Sequence, residues 1–238
     1  MLIRIGNTVP DIGNLPGPSN GGGGGGGGSL PKIDNLYSFE FDGVGSYMAI
    51  SESNVISSSN TGSVSLWVKP STLNANKSIV VFDNGGYRNY LSIYIRDYTT
   101  GEIGVQYRQD SPRVIYTKHT NNGVVSVGNW THITIVHNSV EPKIYINGID
   151  VPQTLILSAG NNSTLWWNNL LPKNINLGAF NINGYSPPTY FPGYIDEVSI
   201  FNTALTQEQV ESIYNATTTG KTADLSSLSP VAWYRMGD

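Results

Sequence analysis

The chain contains no cysteine. That absence excludes a disulfide scaffold, thiolate metal sites and a cysteine nucleophile. It leaves the redox compartment open, because a cysteine-free chain folds in either. Charge is also scarce: Asp, Glu, Lys and Arg make up 13% of 238 residues, with a formal net charge of −4 and a pI near 5.3. No basic excess is available to neutralise phosphates, which argues against a nucleic acid or an anionic membrane as partner. No apolar run is long enough to span a bilayer, so no membrane insertion is expected. The stretch Met1 to Gly13 has one Arg and no apolar segment of signal-peptide length, so it does not read as a secretory leader.

What is plentiful is Asn, Ser, Thr, Gly and Tyr, arranged as short apolar runs between turn residues. That pattern predicts an all-β chain. Tyr37 to Phe41 alternates at the strand period and is turned by Asp42-Gly43. Val64, Leu66 and Val68 share one strand face and Trp67 takes the other. In Asn89 to Arg96, Leu91, Ile93 and Ile95 alternate with Tyr90, Ser92 and Tyr94. Ile103 to Tyr107 and Arg113 to Lys118 read as a hairpin. Asn147-Gly148 is a type I′ turn signal after Lys143 to Ile146, with Val151 to Leu157 as the expected return strand. One helix is predicted from Thr206, where Thr206 and Gln209 form a capping box and Leu205 can staple onto Val210.

Residues 1–28 have their own organisation. Residues 1–20 keep an apolar group worth burying, Leu2, Ile3, Ile5 and Ile12, and read as a docking peptide. Residues 21–28 are eight consecutive glycines. Such a run buries no side chain and reads as a hinge with an r.m.s. reach of about 15 Å. The folded domain is expected over residues 29–238.

Leu177 to Asn215 anchors a family resemblance. Its GYIDEVSIFNTALTQEQVESIY segment resembles the C-terminal signature of laminin-G-like domains of the concanavalin A-like lectin/glucanase superfamily. FDGVGSYMAI from Phe41, SVSLWVKP from Ser63 and the Trp130 to Gly148 region resemble earlier blocks of the same family. The resemblance implies a β-sandwich jelly roll of two antiparallel sheets with one short C-terminal helix. Residues 228–238 resemble the family's opening strand, at the opposite end of the chain, and are read as a permuted strand of the same sandwich. The resemblance also implies one structural calcium ion near the first and last strands, with Asp42 and Asp196 in the matching positions. No other cofactor is expected.

Glucanases of this superfamily carry carboxylates at alternate strand positions, and no such motif occurs here. Asp196-Glu197 is adjacent, so period-2 alternation sends the two to opposite faces. His119, His132 and His137 have no nucleophile context. The chain is therefore read as non-enzymatic. The aromatics are the candidate contact residues, with core packing the alternative: Tyr87, Tyr90, Tyr94 and Tyr98 around one strand, Trp166 and Trp167 in an Asn-rich loop, where an extended backbone sends one inward and one outward, and Tyr185 and Tyr190 beside Pro187-Pro188. Exposed rings of this kind stack on sugars or anchor protein partners.

Together these features describe a bacteriophage virion structural protein, a capsid-decorating or fibre protein. Its N-terminal peptide would dock on capsid or tail proteins. Its lectin-like sandwich would face outward in many copies or as a homo-oligomer, for weak adhesion to host-surface glycans. The expected location is the virion surface. The alternative is a cellular carbohydrate-binding or adhesion module, extracellular or at the cell surface; a glycoside hydrolase ranks third.

Overall fold

A computed structural model describes residues 4–6, 29–51, 56, 59–73, 76–86, 88–96, 101–183 and 188–238. In chain order the strands begin β1 (Arg4–Gly6), β2 (Lys32–Asp34), β3 (Ser38–Asp42), β4 (Met48–Ser51), β5 (Thr61–Pro70) and β6 (Lys77–Asp83). Then come β7 (Tyr90–Ile95), β8 (Ile103–Asp110), β9 (Arg113–Thr120), β10 (Thr131–Asn138), β11 (Pro142–Ile146), β12 (Ile149–Asp150) and β13 (Gln153–Ala159). The chain ends with β14 (Asn174–Leu177), β15 (Ala179–Phe180), β16 (Thr189–Tyr190), β17 (Pro192–Phe201), β18 (Lys221–Ala223) and β19 (Ala232–Tyr234). Helices α1 (Trp167–Leu170) and α2 (Gln207–Ala216) complete the fold.

Two antiparallel sheets form the sandwich. One runs β1-β3-β17-β5-β10-β11-β12, and β19 also pairs with β17. The other runs β13-β9-β8-β7-β6-β14-β4. Alternation decides what lies between them. Val64, Leu66 and Val68 of β5, with Ile133 and Ile135 of β10, meet Val80, Phe82, Leu91, Ile93 and Val105 in one core cluster. Each such side chain contributes roughly 1.5–3 kcal/mol by leaving water.

The two outer faces are treated differently. Helix α2 lies on the eight-stranded sheet, where Val210, Ile213 and Ala216 join Val136, Tyr145, Phe201 and Leu205 in a second cluster. Trp67 stacks on Tyr214 of that helix at 5.9 Å between ring centroids. The capping box forms as the sequence predicts: Gln209 N–H donates to Thr206 Oγ1, and Thr206 N–H to Gln209 Oε1. Among the described residues no helix packs on the central part of the seven-stranded sheet, whose outer face carries Ser78, Ser92 and Gln106 of β6, β7 and β8.

Strand β17 is the organising strand. One edge pairs with β5. The other is shared: β3 fills Pro192 to Ile195 and β19 fills Val198 to Ile200. Strands from opposite ends of the chain thus meet at Asp196-Glu197. The register shifts there against β5, and Glu197 takes a positive φ of 51°.

The β11 hairpin differs from expectation. Asn147 and Gly148 both adopt positive φ, at 51° and 81°, as a type I′ turn requires. The return strand is only Ile149–Asp150, however, and Gln153–Ala159 crosses to the other sheet to pair with β9. Pro152 has no N–H to give a ladder. The Gln153 side chain stands in for the missing strand, accepting from Ile144 N–H at 2.9 Å and donating to Ile144 C=O at 3.2 Å.

Candidate functional site

A cleft of about 230 Å3 lies on the outer face of the seven-stranded sheet. It is lined by Asn76, Ser78, Tyr90, Ser92, Tyr94, Gln106, Phe180 and Thr189. The floor comes from β6, β7 and β8 in register: Ser78 opposes Tyr94 and Ser92 opposes Gln106, with Thr117 of β9 next beyond Gln106. The β15–β16 hairpin supplies the wall through Phe180 and Thr189.

The floor is wired by hydrogen bonds. Ser78 and Ser92 hydroxyls lie 2.8 Å apart. Tyr90 OH donates to Gln106 Oε1 at 2.6 Å, and Gln106 Nε2 donates to Thr117 Oγ1 at 3.3 Å. Tyr90 meets Phe180 edge-on at 4.9 Å. Tyr94 lies against Gly104: a Cβ there would sit 2.7 Å from Tyr94 Cζ. The glycine therefore lets the ring lie down as a half-exposed platform. Burial raises the Tyr94 phenol above its ordinary pKa, opposed by Arg96 and by a hydrogen bond with Thr117. None of the eight lining residues carries a charge. The cleft offers aromatic faces, hydroxyls and amides.

The expected contact residues fare unequally. Tyr90 lines the cleft, although its ring is almost wholly buried and only its hydroxyl end is presented. Tyr190 is half-buried beside the cleft and packs near Tyr47 at 6.2 Å. Tyr87, Tyr98 and Tyr185 lie outside the described residues. Trp166 and Trp167 are corrected: both are fully buried and offer no surface to a glycan. They do not alternate in and out, because α1 begins at Trp167 and turns both rings into the core. Tyr94, clustered with Tyr90 in the sequence, lines the cleft, whereas Gln106, Ser78 and Phe180 are contacts that the sequence did not mark. The alternation of β7 is the signal that places Tyr94 with Tyr90.

The proposed docking residues Leu2, Ile3 and Ile12 lie outside the described residues. Ile5 belongs to β1, whose backbone pairs with β3 of its own domain, Ile5 opposite Phe39.

The adjacent pair Asp196-Glu197 is remote from the cleft, whereas Asp83 of β6 lies opposite Tyr90, buried and accepting from Asn174 and Asn176 Nδ2. Asp196 and Glu197 sit on β17, in the other sheet, and are 1% and 4% exposed. Asn35 Nδ2 donates to Asp196 Oδ2 at 3.0 Å, and Glu197 N–H to Asp196 Oδ1 at 2.8 Å. Burial pushes the Asp196 carboxyl well above the usual range, and the charge of Glu197 adds to it. Burial pushes Glu197 up to about 7, opposed by donation from Trp233 Nε1 at 2.6 Å and by Arg235.

Asp42 does not join Asp196. It pairs at Pro192, four residues along β17. Its Oδ1 is consumed by Val44, Gly45 and Ser46 N–H groups and the Ser46 hydroxyl, which hold its pKa well down. Asp42 and Asp196 therefore do not share one position, and Asp42 Oδ1 closes a turn. Two other oxygens are better placed. Asn35 Oδ1 is buried without a hydrogen-bond partner, on the side chain that touches Asp196. Ser38 Oγ is also buried and unpartnered, one residue before Phe39, which pairs with Ile195. A buried carboxylate beside a carbonyl oxygen and a hydroxyl fits a hard cation, with main-chain carbonyls and water to complete the shell.

One histidine has a partner that sequence reading missed. His132 Nε2 lies 2.8 Å from Ser65 Oγ. The pair is sealed beneath Trp67 and Tyr214, and burial pushes His132 down to about 3. Neither group is among the residues that line the cleft.

A family model described as the concanavalin A-like lectin/glucanases superfamily matches residues 42–211. The chain belongs to that superfamily. Among curated proteins, Sialidase B of Streptococcus pneumoniae serotype 4 (strain ATCC BAA-334 / TIGR4) is 29% identical over 163 residues, 61% of this chain. The chain spans 21% of that relative's length. The CBM40 of Ruminococcus gnavus IT-sialidase, bound to α2,3-sialyllactose, shares the fold with a TM-score of 0.56 at 14% identity, over 79% of this chain and 100% of that one. Tailspike protein 2 of bacteriophage CBA120, in its enzymatically active domain, gives 0.60 at 9% identity, over 99% of this chain and 32% of that one. The superfamily member described here therefore has the fold of carbohydrate-binding modules.

Proposed function

We propose that this chain is a non-catalytic carbohydrate-binding or adhesion module that takes a glycan in the cleft of the seven-stranded sheet. The observation that carries this reading is the uncharged cleft itself, with Tyr94 and Phe180 as apolar faces and Gln106, Ser78, Ser92 and Thr189 as polar groups. Sugars present both kinds of surface. No described lining residue is charged, and Arg96, the guanidinium that acts on Tyr94, is engaged by Glu102 at 2.6 Å, which favours a neutral saccharide over a sialylated one. Two carboxylates within catalytic reach of the cleft, which glycoside hydrolysis needs, are not among its lining residues.

A glycan array carrying neutral oligosaccharides and sialyllactose tests this, followed by calorimetry on any hit. Tyr94→Ala is expected to weaken binding about ten-fold or more, a loss of roughly 1.4 kcal/mol. An array with no signal, or affinity untouched by Tyr94→Ala, would sink the reading. One shallow cleft binds weakly, so display in many copies would supply avidity.

A second reading places the module on a bacteriophage particle as a decorating or fibre protein. The peptide–glycine–domain layout favours it, and the likeness to a tailspike is compatible with it at the level of fold. Antibodies to this chain should then label purified particles; particles that stay unlabelled would exclude it.

We also propose a structural calcium ion held by Asp196, Asn35 Oδ1 and Ser38 Oγ. Bound there, it would supply the positive charge that the buried Asp196 lacks. Excess calcium should raise the melting temperature above that in excess chelator. Coincident melting curves would remove the ion from the account.

A further inference from the structure

The seven-stranded sheet ends on β13, and this edge lacks most of the guards that the others carry. An edge strand presents unpaired N–H and C=O groups and is normally protected by charge, shortness or cover. At the far side of the same sheet, β4 has only four residues. In the other sheet, β12 has two residues, carries the Lys143–Asp150 ion pair and lies against α2. At the remaining edge, β1 has three residues and includes Arg4. By contrast β13 has seven, and no Asp, Glu, Lys or Arg occurs between Asp150 and Lys173. Neighbouring Ile156 and Leu157 on it are 41% and 40% exposed.

The segment is also nearly symmetric in sequence about one residue: Thr154-Leu155-Ile156-Leu157-Ser158. We propose that β13 pairs antiparallel with β13 of a second copy of this chain, across a two-fold axis through Ile156. An antiparallel strand pair is self-complementary about such an axis, so the interface is isologous and closes at two copies. Ile156 then opposes itself and Leu155 opposes Leu157 of the second copy, and the ladder ends before Ser158, the bulge residue. Every cross-strand pair matches in kind. Leu155 already packs on the core, so the leucine side of the ladder extends an apolar surface. Ile156 lies opposite Thr117, on the face that carries Gln106 and the cleft. The two clefts would share one continuous face. The bulge after Leu157 bounds the ladder on its C-terminal side.

One strand pair buries less than the roughly 1,200–2,000 Å2 of a standard stable interface. The dimer is therefore concentration-dependent rather than permanent. Pairing does not depend on what the cleft holds.

The absence of native cysteine makes the test clean. Across an antiparallel pair, Cα atoms lie about 4.5–5.5 Å apart, inside the disulfide range. Ile156→Cys, under mild oxidation, should form a covalent dimer on the order of ten-fold faster than Val44→Cys, an exposed control in the Asp42 turn. Sedimentation velocity on the unmodified chain should show dimer growing with concentration, and Ile156→Lys should abolish it. If Ile156→Lys fails to fold, Thr154→Lys at a neighbouring exposed position repeats the measurement. The proposal is overturned by a monomer at every concentration, by equal cross-linking of the two cysteine variants, or by a dimer that survives the lysine.

Discussion

Gly62→Ala is expected to destabilise the sandwich by about 3 kcal/mol or more, at the upper end of overpacking effects. Gly62 lies at the start of β5 beneath two tryptophans. A Cβ there would stand 2.2 Å from Trp167 Nε1, 2.7 Å from Trp166 Nε1 and 3.0 Å from the Phe201 carbonyl oxygen. None of these atoms can retreat cheaply. Trp166 stacks on His137 at 4.9 Å with an interplanar angle of 19° and touches Trp167 at 4.6 Å. Trp167 is backed by Phe82 at 4.9 Å. His137 is itself fixed between the carbonyls of Asn60 and Ser163, at 2.9 and 2.8 Å. The added methyl must displace a stacked column rather than one flexible chain end. For a domain of this size the melting temperature should drop by about 6–12 °C. A melt within 2 °C of the parent, taken here as about 0.5–1 kcal/mol, would show that the column yields.

In excess chelator, stability is expected to fall as pH rises from 4.5, the ordinary value for a glutamate, to about 7, where burial places Glu197. The folded state holds the proton more tightly than the unfolded chain does. The contribution is therefore complete below the unfolded pKa and is lost as pH passes through the folded one. Across that window the slope approaches about 1.4 kcal/mol per pH unit for one group. Asp196 acts with the same sign, since its carboxyl is also raised, first by burial and then by Glu197. Glu197→Gln should remove the share of the slope that Glu197 contributes, leaving that of Asp196, while keeping an oxygen for the Trp233 indole. Asp196→Asn should raise stability in chelator near pH 8 and, if the ion is present, erase the response to calcium. Thermal melts from pH 4 to 8 read all three chains. Stability that rises through the window in the parent would contradict the assignment of these two acids.

Much of the fold is legible in local patterns. Alternation in β7 assigns Leu91, Ile93 and Ile95 to the core, and Thr206 with Gln209 marks the helix start to the residue. What local patterns do not carry is long-range company. Trp166 and Trp167 sit among polar residues in sequence, yet Gly62, a hundred residues away, leaves the space that buries them. Asp42 and Asp196 both fit a family position, yet local N–H groups claim the first before any ion can. The Val151 to Leu157 segment looks like a hairpin return until Pro152 and the Gln153 amide are considered together. The cleft illustrates the same limit. Periodicity says which residues share a face of β7, but only the seat of α2 on the opposite sheet leaves that face open.

The ladder between β2 and β18 and the grip of Asp238 on the Leu36 and Tyr37 N–H groups bring the two ends of the sandwich to one spot. A polypeptide that enters and leaves a domain at adjacent points can be spliced into a loop of a host protein without prising that loop apart. The same proximity allows the ends to be joined by a short linker and the chain reopened elsewhere, for example at the exposed turn around Val44.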